Sequence, residues 1–334
     1  MKNYFKFNLS GNKLLPVWLL FIVLYIIPYS IVQGHIQELN KVQPVDGMTE
    51  AFQRMGAMFS WQALSLFLFV LEYAILFFIY KMTIEGVEFK EKVFSFSGQF
   101  GSFISLFIGN LLLTIITLGI YGPWFMTNMY KFFATNAKQG EHNLDFKGKG
   151  SDLFLIILVT LLIPMLVVGA IVMIGAFIGG FWKALIHQQM PEMSGLFIGL
   201  LILAVVAAIF ITVFFMYYCY KWCVNLSFKG YEIKWETELW SSVQQILVQT
   251  GLCVITLGIY SPVASLRLYK YFAERTVARK ESIVKKFGYE LAAGDDFLFI
   301  WGQILLCIIT LGIYFPWAYC KISDYILCKT YVEE

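Results

Sequence analysis

The sequence is poor in charge: Asp, Glu, Lys and Arg together make up only 14% of its 334 residues. Soluble domains carry about 25% charged residues, so this composition excludes an ordinary soluble protein. Hydrophobic residues instead reach 59% and aromatic residues 18%, and the mean hydropathy is +0.70. The long apolar runs carry bulky residues at every helical phase, whereas lipid-facing barrel strands alternate apolar and polar residues. We therefore predict an integral membrane protein built from helical spans.

Patterns typical of metal sites, disulfides and catalytic sites are also missing. The six cysteines lie in or beside apolar runs, form no CxxC pair and have no histidine at ligand spacing. The three histidines stand apart from one another, and no HExxH, P-loop or GxSxG motif occurs. We therefore expect neither an enzyme nor a bound cofactor. The net charge of +3 is too small and too spread to indicate a nucleic-acid partner.

One five-residue sequence, TLGIY, occurs three times and organises the chain. Its copies are Thr117–Tyr121, Thr256–Tyr260 and Thr310–Tyr314, and each is followed one residue later by a proline. Glycine supplies a left-handed cap at a helix end, and proline can open the next helix. The motif therefore predicts a helix stop and restart. Its structural residues are Gly119, Tyr121, Pro123, Gly258, Tyr260, Pro262, Gly312, Tyr314 and Pro316.

Four further apolar runs are long enough to cross a bilayer. They lie at about Leu14–Gln33, Trp61–Tyr80, Leu153–Trp182 and Leu196–Tyr220. The order of strand, two spans, strand and TLGIY unit occurs twice, and a third unit follows, which indicates an internal repeat. We predict a first repeat half at residues 1–150, a second at 151–290 and the third unit at 291–334.

The distribution of Lys and Arg favours hairpins over simple spans for the TLGIY units. Seven simple spans would divide these residues 14 to 11 across the membrane, whereas hairpins leave only Lys41, Arg54 and Lys183 outside and the other 22 inside. A second arm of fourteen or fifteen residues is about 22 Å long, too short for a ~30 Å hydrocarbon core. The prediction is thus an all-α polytopic membrane protein with four full spans and three re-entrant or hairpin TLGIYxP units. Both termini are cytoplasmic, and Gly34–Met58 and His187–Ser194 are the outer loops.

Short stretches of alternating apolar and polar residues predict strands between the helices. The prediction is a small cytoplasmic sheet or a set of short hairpins, because alternating apolar faces need a partner to cover them. The stretches are Lys6–Gly11, Thr83–Gly98, Asn143–Gly148, Leu226–Gly230 and Lys285–Tyr289.

Aligning the three TLGIY copies brings polar residues into register. An amide stands seven residues before each motif threonine, at Asn110, Gln249 and Gln303. A polar residue stands five after each proline, at Asn128, Arg267 and Lys321. The amides either line a polar path or join helices to each other, and the second interpretation is favoured. The cations of the second arms, Arg267, Lys270 and Lys321, either hold anionic groups or extend to the membrane surface, and the latter is favoured.

Glu72 is a carboxylate inside the apolar run FVLEYAIL. A charge near the middle of a span is costly and is a functional candidate by default. The alternatives are a structural ion pair with Arg267 or Lys321, or simple protonation. The candidate polar path therefore consists of Glu72, Asn110, Gln249, Gln303, Arg267 and Lys321.

The FxFxG-type strand, the apolar run that ends in TLGIYxPW and the aromatic, basic helix after it resemble the YjgN family of bacterial inner-membrane proteins. The resemblance covers about Phe94 to Thr330, and the second copy departs from it, with Val263 where Trp124 and Trp317 stand. It implies a multi-pass protein of the bacterial inner membrane. It implies no catalytic residue, substrate or cofactor, because the family is defined as a domain of unknown function.

Three classes of function remain open. A transporter or channel for an amphipathic or anionic small molecule fits the repeats, the interrupted helices and the aligned polar residues. A lipid-binding or membrane-organising protein without transport activity fits the aromatic density and the basic cytoplasmic rim. An intramembrane enzyme is least supported, with Glu72 as its only candidate acid. We expect membrane lipids as partners and no nucleic acid, a homo-oligomer is compatible with the sequence, and the substrate is unidentified.

Overall fold

A computed structural model describes residues 1–41, 47–178 and 195–333. Over these residues the chain alternates helix pairs with strands: each pair begins just after one strand and ends just before another. Two pairs are long and three are short. The predicted outer loop His187–Ser194, Lys183 and part of Gly34–Met58 lie outside the described residues.

The long pairs supply four helices that are long and apolar enough to cross a membrane, and they coincide with the four predicted apolar runs. They are Gly11–Lys41, Ala51–Gly86, Gly150–Phe177 and Phe197–Cys223. In the third of these, the most apolar stretch has 0% of its residues buried within the protein. Such a surface is stable in lipid and unfavourable in water.

A π-helical turn interrupts the first helix of each long pair. These turns are Ile22–Ile26 and Leu158–Leu162, and Pro28 and Pro164 follow two residues after them. Proline has no N–H to donate and its ring collides with the preceding turn of a regular α-helix. The wider π turn takes up this mismatch, so each helix continues past its proline.

The short pairs contain the TLGIY motifs, and in all three copies the predicted helix stop and restart is confirmed. We call them the first, second and third short pairs and call the TLGIY turn of each its tip. Their helices are Phe100–Ile116 with Gly122–Asn136, Leu239–Ile255 with Ser261–Glu274, and Ala293–Ile309 with Phe315–Cys328.

The strands form one eleven-stranded sheet, with antiparallel pairing wherever the register is defined. Its order is β3-β2-β1-β11-β10-β9-β8-β7-β6-β5-β4. The strands are β1 Lys2–Phe7, β2 Val87–Phe89, β3 Lys92–Val93, β4 Ser95–Phe96, β5 Ala137–Gln139, β6 His142–Phe146, β7 Leu226–Phe228, β8 Tyr231–Trp235, β9 Thr276–Lys280, β10 Ile283–Tyr289 and β11 Thr330–Glu333.

The predicted all-α fold class is therefore wrong, because the strands build a major sheet instead of accessory hairpins. All five predicted strand stretches overlap strands, although in Thr83–Gly98 the helix first runs on to Gly86. The prediction missed β5, β8, β9 and β11. Three of these begin within two residues of the end of a short-pair helix, at Ala137, Thr276 and Thr330.

Contact clustering divides the chain into two compact units. One holds Met1–Leu112, Thr135–Asn143 and Leu298–Tyr331, and its core contains Phe7, Leu14, Ile79 and Cys320. The predicted three-part division by residue number stays a prediction.

The other unit holds Leu113–Ala134, Leu144–Phe297 and Val332–Glu334. Its core is rich in aromatic side chains, and Ile246 within it is fully buried. The ring of Trp235 on β8 contacts Tyr217, Tyr220 and Phe272 from two helices. Through Phe272, the second short pair thereby packs against β8 of its own unit.

Candidate functional site: tips and polar side chains of the short helix pairs

Each tip is closed by the same pair of backbone hydrogen bonds. In the first short pair, Gly119 N donates to Thr114 O at 2.8 Å and Leu118 N donates to Ile115 O at 3.0 Å. This is the Schellman arrangement that satisfies the last carbonyls of a helix. Equivalent bonds join Gly258 to Cys253, Leu257 to Val254, Gly312 to Cys307 and Leu311 to Ile308.

The motif threonine links the end of one helix to the start of the next. The Thr117 hydroxyl donates to Leu113 O at 2.7 Å and accepts from Tyr121 N at 3.0 Å. Thr256 and Thr310 make the same two contacts in their own tips. A hydroxyl is needed here because the position requires both a donor and an acceptor.

The leucine of each tip adopts a conformation that favours glycine. Leu118, Leu257 and Leu311 have φ of 50°, 48° and 50°, and the following glycines are also left-handed, with φ of 84–91°. A side chain in the left-handed region costs about 1–2 kcal/mol. The three leucines are nevertheless 93%, 92% and 91% exposed, so each tip projects an aliphatic side chain that is held under backbone strain.

The tryptophan after the motif proline packs on the first glycine of a long span. A Cβ on Gly11 would lie 2.6–2.8 Å from Trp317, and one on Gly150 would lie 2.5–3.0 Å from Trp124. Only glycine permits this approach without displacing the tryptophan backbone. The sequence offered no way to foresee these contacts. The second short pair carries a buried Val263 at the aligned position.

In the third short pair, the aligned polar residues form a continuous hydrogen-bonded chain. The Tyr314 hydroxyl donates to Gln303 Oε1 at 3.0 Å, and Lys321 Nζ donates to the same hydroxyl at 2.9 Å. Gln303 is therefore engaged within its own pair, as the helix-joining interpretation of the amides expects.

In the second short pair, the residues at the same positions do not form this hydrogen-bonded chain. Gln249 is only 4% exposed, and among the described residues no donor reaches its Oε1. The Arg267 guanidinium instead lies over the Tyr260 ring, 5.7 Å from the ring centre. A buried acceptor without a donor is costly, so this oxygen requires an explanation.

Gln249 is one of the residues that line a cavity of about 350 Å³ in the second short pair. Arg267 and Lys270 bring positive charge to it, and Lys270 Nζ lies 3.7 Å from Glu274 Oε1. The Tyr271 hydroxyl is already bonded to Ser241 and Ser242. The lining residues are Gln245, Gln249, Arg267, Lys270, Tyr271, Glu274 and Leu291.

The first short pair makes different contacts at these positions. Asn110 is buried and donates to Leu106 O of its own helix at 2.6 Å. In the following helix, Asn128 Nδ2 donates to the Tyr121 hydroxyl at 3.4 Å. A polar residue seven positions after the motif tyrosine thus contacts that tyrosine in all three pairs.

Glu72 is half-buried in the first long pair, and its hydrogen-bonding partner is the Tyr25 hydroxyl on the neighbouring span. An ion pair with Arg267 or Lys321 was one of the alternatives for this carboxylate, and the contact with Tyr25 is a different one. Lys321 instead contacts Tyr314. The single polar path joining Glu72 to the three amides stays a prediction.

Comparison with known proteins gives a family profile and one short match. The profile of a bacterial protein of unknown function (DUF898) matches residues 2–297. A stretch of 68 residues is 35% identical to "Inner membrane protein YjgN" of Salmonella typhimurium (strain LT2) and covers 20% of the chain and 17% of that relative's length. No solved structure matches the chain.

Proposed function

The chain belongs to the DUF898 family of bacterial membrane proteins of unknown function, as its resemblance to the YjgN family predicted, and we propose that it binds and organises lipids in the bacterial inner membrane without enzymatic activity. In this proposal the three short pairs enter the bilayer tip first.

The observation that carries the proposal is the strained, outward-facing leucine of every tip. A turn in water favours Gly or Asn at a left-handed position, because a leucine there adds strain and exposes apolar area to solvent. In the hydrocarbon of a bilayer, the exposed apolar area of the leucine is no longer unfavourable. The aliphatic neighbours on either side extend the apolar surface, since Ile255 and Ile259 are 79% and 57% exposed beside Leu257.

The lengths of the helices fit insertion into part of the bilayer. Helices of 14 to 17 residues are about 21–25 Å long, which is shorter than the ~30 Å hydrocarbon core. Arg267 and Lys321 stand two helical turns, about 10 Å, from the motif tyrosines. With the tips among acyl chains, these cations lie closer to the anionic lipid phosphates.

The depth of a tip can be measured directly. In a variant whose six native cysteines are replaced, Leu257→Cys carries a fluorophore in bilayers with a nitroxide quencher on either the acyl chain or the headgroup. We expect the acyl-chain quencher to act more strongly. Glu281→Cys is the control, since Glu281 is an exposed left-handed turn residue outside the tips. Stronger headgroup quenching at Leu257→Cys would contradict the proposal.

The proposed orientation places both termini in the cytoplasm. Its support is the concentration of Lys and Arg on one side when each short pair returns to the side it came from. Impermeant thiol reagents applied to intact cells should leave Asn136→Cys and Arg279→Cys unlabelled. Labelling of Asn136→Cys from outside the cell would refute this orientation.

Transport of an anionic or amphipathic small molecule is the second candidate, and the open acceptor of Gln249 beside Arg267 and Lys270 favours it. Chemical bleaching of fluorescent phosphatidylglycerol in proteoliposomes separates the two functions. Lipid binding alone leaves the inner-leaflet fluorophore protected, whereas transport exposes both leaflets to the bleaching reagent.

A further inference from the structure

Gln249, which lines the cavity of the second short pair, carries a buried side-chain oxygen for which the described part of the protein supplies no donor. Gln249 Oε1 is buried, and the equivalent oxygen in the third short pair, Gln303 Oε1, accepts from Tyr314. The two amides stand at the same distance from their motifs. The bond made in one pair and missing in the other marks the place where a ligand donor fits.

The charges around the cavity define the rest of that ligand. Arg267 and Lys270 carry two positive charges and Glu274 carries one negative charge, so the site has an excess of one positive charge. Arg267 and Lys270 suit a phosphate oxygen. Glu274 lies against Lys270, which leaves Arg267 as the cation that has no carboxylate beside it within the cavity lining.

We infer that this cavity binds a glycerophosphate group of one negative charge, in which the phosphate meets Arg267 and Lys270 and a glycerol hydroxyl donates to Gln249 Oε1. The inference rests on the proposed lipid-binding function and names its ligand class as the headgroup of an anionic phospholipid. A phosphate monoester has no glycerol hydroxyl beyond the phosphate to donate to Gln249. A choline headgroup has no donor and adds a cation to a positive site.

Lipid binding to the purified full-length protein tests the inference. Thermal shift and native mass spectrometry would compare phosphatidylglycerol with phosphatidic acid, phosphatidylethanolamine and phosphatidylcholine. We expect phosphatidylglycerol to bind at least about tenfold more tightly than the others. Phosphatidic acid and phosphatidylcholine lack the glycerol hydroxyl, and one lost hydrogen bond to a buried group corresponds to such a factor. The ammonium of phosphatidylethanolamine can donate a hydrogen bond, but it adds a positive charge to a positive site. Equal binding of phosphatidylglycerol and phosphatidylcholine would overturn the inference.

Gln249→Leu should abolish the preference for phosphatidylglycerol over phosphatidic acid, whereas Arg267→Gln should weaken the binding of both lipids. Gln303→Leu is the matched control, because it removes the aligned amide from the third short pair, and it should keep the preference. Retention of the preference in Gln249→Leu, or its loss in Gln303→Leu, would refute the assignment of the hydroxyl to Gln249.

Free sn-glycerol 3-phosphate distinguishes the two sources of this chemistry. Weak competition by the free compound supports a lipid headgroup, since the acyl chains add affinity, whereas competition at the lipid's own concentration overturns the lipid assignment. The depth measurement at Leu257→Cys is independent of these results. Deep tips without lipid preference would refute this inference alone, and shallow tips would refute the proposed function.

Discussion

The second and third short pairs share the TLGIY motif but differ in the contacts of their polar residues. In the third pair, Gln303 and Lys321 meet at the Tyr314 hydroxyl. Both Arg267 and Lys321 lie over the ring of their motif tyrosine, and Lys321 in addition donates to the tyrosine hydroxyl. The lysine ammonium is a compact donor on a flexible stem, whereas the planar guanidinium favours an aromatic face. One difference between two cations therefore accompanies the change from a closed chain to an open acceptor.

The two pairs differ most in the residue after the motif proline, and Gly11→Ala tests this difference. The new Cβ would lie 2.6 Å from the Trp317 ring and 2.8 Å from its Cα. We expect destabilisation of about 1–3 kcal/mol from overpacking, measured as reduced thermal stability in detergent. The control is Gly251→Ala in the second pair, where nothing lies within 4 Å. It should stabilise by about 0.5–1 kcal/mol, and equal effects would contradict the comparison.

The aligned amides Gln303 and Gln249 should give the next largest difference in stability between the two pairs. Gln303→Leu removes the acceptor of the Tyr314 hydroxyl and should cost about 1–1.5 kcal/mol. Gln249→Leu removes an acceptor for which the described residues supply no donor and should be neutral or slightly stabilising in lipid-free detergent. Thermal unfolding of the two variants side by side provides the measurement. A comparable loss in both would mean that Gln249 has a partner after all.

Arg267→Lys should give the second pair the hydrogen-bonded chain that the third pair has. The shorter ammonium reaches toward the Tyr260 hydroxyl, which can then donate to Gln249 Oε1, as in the third pair. We expect a gain of about 0.5–1 kcal/mol and a loss of preference for phosphatidylglycerol. Lys321→Arg is the reciprocal change in the third pair and should be destabilising. A stable variant that keeps its lipid preference would contradict the view that the choice of cation causes the difference between the two pairs.

The smallest expected effect concerns the left-handed leucine that the tips of both pairs share. Leu257→Gly and Leu311→Gly each remove strain of about 1–2 kcal/mol, partly offset by the greater freedom of glycine in the unfolded chain. A gain of about 0.5 kcal/mol in detergent should therefore appear in both variants. Binding to preformed vesicles should fall in both. Unequal effects would show that the tips are not equivalent.

The tips were the most predictable part of the molecule because their structure is local. Threonine, glycine and proline at fixed spacing determine how one helix ends and the next begins. Self-alignment also located Gln249 and Gln303 as equivalent residues. Whether each amide is hydrogen-bonded to its motif tyrosine could not be predicted. That bond depends on how Arg267 or Lys321 is placed against the tyrosine.

The sheet was the least predictable part, because its pairing is not local. In β1, Phe5 lies opposite Phe89 of β2 across a complete long pair of helices. A strand of three residues, such as β5, is too short to show a periodicity of two. The contact of Trp317 with Gly11 is equally distant in sequence. Without a second sequence to compare, neither long-range contact left a signal.

The position of β1 in the sheet sets an order of events during synthesis. β1 lies between β2 and β11, so its two neighbours leave the ribosome at very different times. At about 5–20 residues per second, β11 follows β1 by roughly 15–65 s. During that interval one edge of β1 offers unpaired backbone groups to any other strand. The ribosome thus completes the partner of the first strand only after every helix pair has been made.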